Sequence, residues 1–148
     1  MSPRLFTVSL LTIMGLVLAS CASVPMASID ADRQAKQFKI PESMSRIYIY
    51  RNENIGGAVP MTVSLDGKTL GQTGPKTYFM VEVKPGEHTI NSYTENVAML
   101  KLNAKVGHAH YVWQEVKMGL WSARSALQEV DEKEGQKAVL ECKRARVQ

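Results

Sequence analysis

The chain has 148 residues, of which 45% are hydrophobic and 22% charged, and its formal net charge at pH 7 is +4. This length and composition fit one globular domain with an ordinary core, and they exclude a disordered or low-complexity chain. Removal of residues 1–20 would take away Arg4 and no acid, and the remaining charge of +3 is too small to indicate a nucleic-acid partner.

Residues 1–20 have the three parts of a signal peptide in the usual order. Arg4 gives a positive start, residues 5–17 are uncharged and largely apolar, and the small residues Ala19 and Ser20 come last. A transmembrane helix needs about 20 apolar residues, and this run is shorter. We therefore predict that residues 1–20 are a signal peptide and are removed.

Cys21 lies directly after this segment. The stretch Leu18-Ala19-Ser20-Cys21 resembles the lipobox of bacterial lipoproteins. The resemblance implies that the thiol of Cys21 is joined to diacylglycerol and that the new amino terminus is acylated. Because Ala22 and not aspartate follows, it also implies retention in the outer membrane, facing the periplasm. The alternative is an ordinary secretory peptide, cleaved near Ala19 or Ala22, with Cys21 incidental.

The mature chain divides into a tether and a folded domain. We predict that residues 21–44 form the lipidated amino terminus and a tether, since a lipid-anchored domain must clear the headgroups. A short helix in this segment would be capped by Asp30 or Asp32 and would run through Lys39. The β-sandwich domain is predicted to cover residues 45–148.

Short segments of alternating polarity, separated by turn residues, fill most of this domain. That pattern is typical of all-β sandwiches, and Asp66-Gly67 supplies the positive φ angles of a tight hairpin. The predicted strands cover residues 46–51, 61–65, 68–72, 78–83, 88–95, 98–104, 108–118 and 123–130, and a helix is predicted over 132–143. We therefore predict an all-β fold, a small β-sandwich of about seven or eight antiparallel strands with a short C-terminal helix.

The order of several short motifs resembles one known family. The motifs are Arg46-Ile-Tyr-Ile-Tyr-Arg51, Val63-Ser-Leu-Asp-Gly-Lys68, Val83-Lys-Pro-Gly-Glu-His88 and Trp113-Gln-Glu-Val-Lys-Met-Gly119. The chain resembles, over nearly all of its mature length, the bacterial lipoproteins catalogued as domain of unknown function 2846. The resemblance implies a small β-sandwich in the cell envelope, and it brings no catalytic residues with it.

Three histidines form the one candidate metal site that the sequence offers. His108 and His110 are two residues apart on a predicted strand and so share a face, and His88 could join them from a neighbouring strand. Neutral imidazoles are good ligands for zinc and copper. Alternation on a surface strand gives the same pattern without a metal, so we expect no metal and no cofactor.

Residues that could carry catalysis do not form a known constellation. No serine lies in a G-x-S-x-G elbow, and the sequence has no phosphate loop and no dinucleotide fingerprint. The carboxylates on or beside the predicted strands are expected to form a solvated face. The candidate nucleophiles are Ser64, Ser92, Ser122 and Ser125, and the carboxylates are those of Glu82, Glu87, Glu95 and Glu115. We predict that the protein is not an enzyme.

Trp121 lies between Leu120 and Ser122 in a predicted connection between two strands, with Arg124 close by. Such a tryptophan either plugs the end of the sandwich or presents a contact surface, and Trp and Arg are enriched at binding hot spots. We favour the plug, because burial of an indole beside Leu120 has a lower free energy than its exposure in an unbound protein. Trp121 and Arg124 remain candidate binding residues.

Tyr48, Tyr50 and Arg51 raise the same question on the first predicted strand. Ile47 and Ile49 occupy the opposite parity and are the expected core residues, so the two tyrosines are predicted to lie on an exposed sheet face. They complete the candidate binding surface.

These observations favour a lipid-anchored envelope lipoprotein that acts in the periplasm as a binding or structural module. Its partners would be the membrane, through the lipid on Cys21, and an envelope protein or peptidoglycan. The alternative is a periplasmic metal-binding or enzymatic domain that uses His88, His108 and His110.

Overall fold

The computed structural model describes residues 24–54 and 59–148, which form nine strands and two helices. In chain order the elements are α1 (Ile29–Ala35), β1 (Ser45–Arg51), β2 (Met61–Leu65), β3 (Lys68–Thr73), β4 (Thr77–Val83), β5 (Gly86–Tyr93), β6 (Val97–Ala104), β7 (Ala109–Met118), β8 (Ala123–Val130), α2 (Glu132–Leu140) and β9 (Lys143–Arg144). Among these residues no helix is long and apolar enough to cross a membrane.

The strands form two sheets that pack face to face. One has the order β8-β7-β1-β4-β9 and the other the order β3-β2-β5-β6. The predicted all-β sandwich with a C-terminal helix is therefore confirmed. Two pairings differ from the prediction, because β1 pairs with β7 and β4 with β9 in parallel. The chain forms β4 and all four strands of the second sheet between β1 and β7. β7 then returns to the first sheet parallel to β1.

The hairpin at Asp66-Gly67 forms as predicted. Asp66 has a φ of 50° and Gly67 a φ of 78°. Both central residues are therefore in the left-handed region that a tight two-residue hairpin needs. The carboxylate of Asp66 also accepts a hydrogen bond from the backbone N–H of Thr89, 2.8 Å away, and so joins the turn to the neighbouring strand.

The main core lies between the two sheets. Ile47 and Ile49 of β1 are completely buried in it, as the alternation predicts. Their buried partners are Val63, Leu70, Phe79, Val83, Ile90, Leu102, Ala104, Val112 and Ala145.

A second core covers the outer face of the five-stranded sheet, where α1 and α2 pack. Tyr48 and Tyr50 are 0% and 1% exposed in this core, so the prediction that they lie on an open sheet face is wrong. The hydroxyl of Tyr48 donates to the carbonyl of Ala35 at the end of α1, at 2.8 Å. Both parities of β1 are therefore buried, which is typical of a central strand with a layer on each face.

The segment that we assigned to a tether is part of the folded unit from Val24 onward. Val24 packs against the main core, Met26 forms an antiparallel bridge with Ala145, and Ser28 caps α1. Asp32 ties α1 to the sheet by accepting from the hydroxyl of Tyr78 at 2.8 Å. The prediction that the folded part begins at Ser45 is corrected accordingly, because sequence periodicity in a short segment does not show what the segment packs against.

Candidate functional site

The end of the β7–β8 hairpin carries the most exposed apolar side chains that the structure describes. We call residues 118–122 the Trp121 loop. Trp121 is 94% exposed, and Met118 and Leu120 are each 86% exposed. Trp121 therefore does not plug the sandwich, and that prediction is wrong.

The register of the five-stranded sheet explains the exposure. Tyr50 is paired with Trp113, so β1 ends at Arg51 opposite Gln114, while β7 and β8 stay paired out to Met118 and Ala123. Four further residues at about 3.3 Å each carry the hairpin about 13 Å past the end of β1. The loop thus lies beyond the interior that Trp121 was expected to fill.

Glu95, in the turn between β5 and β6, holds the loop. Its carboxylate accepts hydrogen bonds from three consecutive backbone N–H groups, those of Leu120 at 3.3 Å, Trp121 at 3.1 Å and Ser122 at 2.8 Å. The N–H bonds of Ser122 and Trp121 lower the pKa of Glu95 below its ordinary value, with a further contribution from Arg124. The carboxylate is therefore held ionised against the loop.

Asn96, in the same turn as Glu95, is bonded to Ser125 near the start of β8. Its side-chain amide donates to the carbonyl of Ser125 at 2.9 Å, and its side-chain oxygen accepts from the N–H of Ser125 at 2.9 Å. The turn between β5 and β6 in one sheet is thus bonded to the β7–β8 hairpin in the other. Sequence reasoning missed both residues, because Glu95 was assigned to a solvated face and the contact joins segments that are about 25 residues apart.

Two cations flank the Trp121 loop. Lys117 and Arg124 are cross-strand partners, one on each arm of the hairpin. Their side chains are 51% and 48% exposed, with Lys117 bonded to Glu115 at 2.8 Å and Arg124 at 4.0 Å from Glu95. Arg124 and Trp121, both predicted binding residues, therefore lie together, whereas Tyr48 and Tyr50 are buried under the helices.

Further apolar surface surrounds the loop. Tyr93 and Val97 are cross-strand partners on either side of the turn that holds Glu95, and they are 41% and 60% exposed. An open groove of about 390 Å³ lies beside the loop, lined by Val59, Val116 and residues 117–123. The end of the sandwich that carries Trp121 is therefore apolar beyond the loop itself.

The three histidines do not come together. His88 contacts Asp66 at 2.6 Å and the carbonyl of Lys84 at 2.8 Å, and His110 contacts Glu129 at 2.7 Å. Nδ1 of His108 contacts the backbone carbonyl of Val106 at 2.8 Å. Within residues 24–54 and 59–148, no group of three or more His, Cys, Asp or Glu side chains is arranged to hold a metal ion.

Two of the candidate serines lie in a buried hydrogen-bond network at the base of the hairpin. Gln114 donates to the hydroxyl of Ser92 at 2.7 Å and accepts from that of Thr73 at 2.5 Å, and Ser125 donates to Ser92 at 2.8 Å. All four side chains are at most 4% exposed. These hydroxyls are therefore occupied by hydrogen bonds within the interior.

The predicted signal peptide and lipidation site, residues 1–20 and Cys21, lie outside the described residues. Their assignment depends on the sequence alone.

Comparison with known proteins places the chain in a family. The family described as "Protein of unknown function (DUF2846)" matches residues 41–126. The chain belongs to this family. A Haemophilus influenzae protein described as an uncharacterized protein is 36% identical over 126 residues, which cover 84% of this chain and 75% of that protein. The DUF2846 match includes β1 to β7, Glu95 and the Trp121 loop.

Proposed function

We propose that this DUF2846 protein is a lipid-anchored lipoprotein of the bacterial outer membrane. It faces the periplasm and acts as a binding or structural module without enzymatic activity. The lipid on Cys21 holds it to the membrane, and the Trp121 loop binds a component of the envelope. The lipobox-like stretch at residues 18–21 supports the anchor.

The observation that carries the binding role is the exposure of Trp121 in a loop that is held in place. A tryptophan that is 94% exposed puts a large apolar surface into water. This exposure is unfavourable in a protein whose tryptophan binds nothing. A flexible loop could bury this ring against its own domain, but the hydrogen bonds that its backbone N–H groups donate to Glu95 hold it in place. Exposed aromatic residues beside arginine are also common at binding hot spots.

Acyl labelling tests the anchor. Cells grown with a labelled fatty acid should incorporate it into the wild-type protein and not into a Cys21→Ser variant, and the labelled protein should fractionate with the outer membrane. A wild-type protein that takes up no fatty acid contradicts the anchor. A labelled protein found in the inner membrane contradicts the location only.

Photo-crosslinking in intact cells tests the binding role. A photoreactive amino acid at position 121 should give a crosslinked product. The matched control is position 106, in the turn between β6 and β7 at the opposite end of the sandwich, where Val106 is 52% exposed. Products from neither position, or equal products from both, would contradict a binding role for the Trp121 loop.

A further inference from the structure

We propose that the Trp121 loop inserts into the phospholipid surface that holds the lipid on Cys21, so that the domain makes two contacts with the same membrane. This inference rests on the proposed lipid anchor and names the ligand of the loop. The loop's side chains, its backbone, its flanking charges and the path of the chain each support it.

The side chains at the tip match the membrane interface. Met118, Leu120 and Trp121 lie at a hairpin end and are strongly exposed, and all three residues also line the open groove beside the loop. Tryptophan prefers the level of the headgroups, where its ring meets hydrocarbon and its N–H meets polar groups. Leucine and methionine side chains gain by leaving water for the acyl region. A convex apolar tip of this kind can enter a soft surface that offers no preformed pocket.

The backbone N–H groups of the loop also have a hydrogen-bond acceptor within the protein. An N–H group that enters hydrocarbon without an acceptor is strongly unfavourable. Glu95 supplies an internal acceptor to the N–H groups of Leu120, Trp121 and Ser122. The side chain of Glu95 is itself only 20% exposed and lies beside Arg124, so the loop does not present an open negative charge to the lipid.

The flanking cations lie where anionic headgroups would be. Lys117 and Arg124 face each other on the two arms, directly behind the apolar tip. Long basic side chains can keep their stems on apolar surface while the charge reaches the phosphate level. Basic residues beside a membrane are attracted to anionic lipids.

The path of the chain places Val24, three residues after the predicted anchor, at the same end of the molecule. β1 and β7 run in parallel toward the Trp121 loop, and the last residue of β1, Arg51, is paired with Thr77. Gly74 lies three residues before Thr77, and a Cβ on Gly74 would be 3.2 Å from Cγ2 of Val24. Val24 therefore lies at the end toward which β7 runs.

Cys21 precedes Val24 by three residues, which span at most about 10 Å. The segment around Val24 lies beyond β9, where Met26 bridges Ala145, and is therefore four strand spacings from β7, about 19 Å. A lipid on Cys21 would thus keep the whole domain, including the Trp121 loop, close to one membrane.

The experiment uses the two tryptophans as probe and control. The full acylated chain is placed in vesicles of phosphatidylethanolamine and phosphatidylglycerol, with or without bromine on the acyl chains. A Trp113→Phe variant leaves Trp121 as the only tryptophan, and a Trp121→Phe variant leaves Trp113. We expect bromine to remove most of the emission of Trp121 and to leave that of Trp113 nearly unchanged.

A charge variant tests the cations. Lys117→Gln with Arg124→Gln should reduce the quenching of Trp121 in vesicles with phosphatidylglycerol. If the quenching is unchanged, the two cations do not contact the headgroups and that part of the inference is overturned.

The mass of the purified wild-type chain separates failure of the anchor from failure of the loop. An acylated chain whose Trp121 is not quenched by bromine, and stays open to aqueous acrylamide, overturns membrane insertion while the proposed function stands. If Trp121 is then shielded only in intact envelopes, its ligand is a protein or peptidoglycan. An unacylated chain overturns both the anchor and this inference.

Discussion

Gly135 of α2 gives the sharpest test of how the helices pack on the sheet. Replacement by alanine should raise the intrinsic stability of the helix by about 1 kcal/mol. In this fold, however, the new Cβ would lie 2.1 Å from Cγ and 2.2 Å from Cβ of Tyr111. Carbon atoms in contact are normally about 3.5–4.0 Å apart, so the helix or the ring must move by about 1.5 Å.

The ring of Tyr111 has no room for that movement. Tyr111 is 1% exposed, and its ring stacks on that of Tyr48 with 5.1 Å between the centroids and 11° between the planes. We expect the helix to lift and to disturb the packing of Ala138 and Val139. Overpacking of this severity is at the upper end of the usual range, about 3 kcal/mol. After the gain in helix propensity, about 2 kcal/mol of stability should be lost.

Urea unfolding of the purified chain, followed by circular dichroism, measures this loss. Lys133→Ala, on the exposed side of the same helix, is the control and should change stability by at most about 0.5 kcal/mol. If Gly135→Ala leaves the free energy of unfolding unchanged or raises it, α2 does not pack on Tyr111 in this way.

Two more predictions concern the Trp121 loop. Trp121→Ala should lower the free energy of unfolding by less than about 1 kcal/mol, because the side chain is 94% exposed. A loss of about 3 kcal/mol or more in urea unfolding would show that Trp121 is buried in the end of the sandwich. The folded pKa of Glu95 is lowered by the N–H groups of Ser122 and Trp121, so its contacts stabilise the loop above the unfolded pKa and are lost as the pH falls through the lower folded value. Fluorescence anisotropy of Trp121 in a Trp113→Phe chain should therefore drop with acid, and a Glu95→Gln chain should show no such transition.

The strands could be predicted because their signals are local. Alternation of polarity marks each strand, and Asp66-Gly67 marks the β2–β3 hairpin without reference to the rest of the chain. The parallel pairing of β1 with β7 has no such signal, since the two strands are brought together by the path of the chain between them. Strand order therefore needed the structure.

The tyrosines of β1 show a second limit of local pattern. Alternation separates Ile47 and Ile49 from Tyr48 and Tyr50, and this separation is correct. It does not say whether the second face meets water or another layer. That face is covered by α1 and α2, and α1 belongs to a segment whose short helix looked compatible with a tether.

The Trp121 loop shows why the candidate site was only half predicted. Composition singled out Trp121 and Arg124, but a preference for burying indoles placed Trp121 inside. That preference holds when a loop is free to fold back onto its own domain. Here Glu95 fixes the backbone from a turn that is distant in sequence, and the hairpin ends about 13 Å beyond β1. A conflict between local preference and the observed fold is expected at functional sites, where stability is given up for binding. The exposure of Trp121 is therefore an argument for a ligand, since the contacts of Glu95 stabilise the conformation in which the ring is least protected from water.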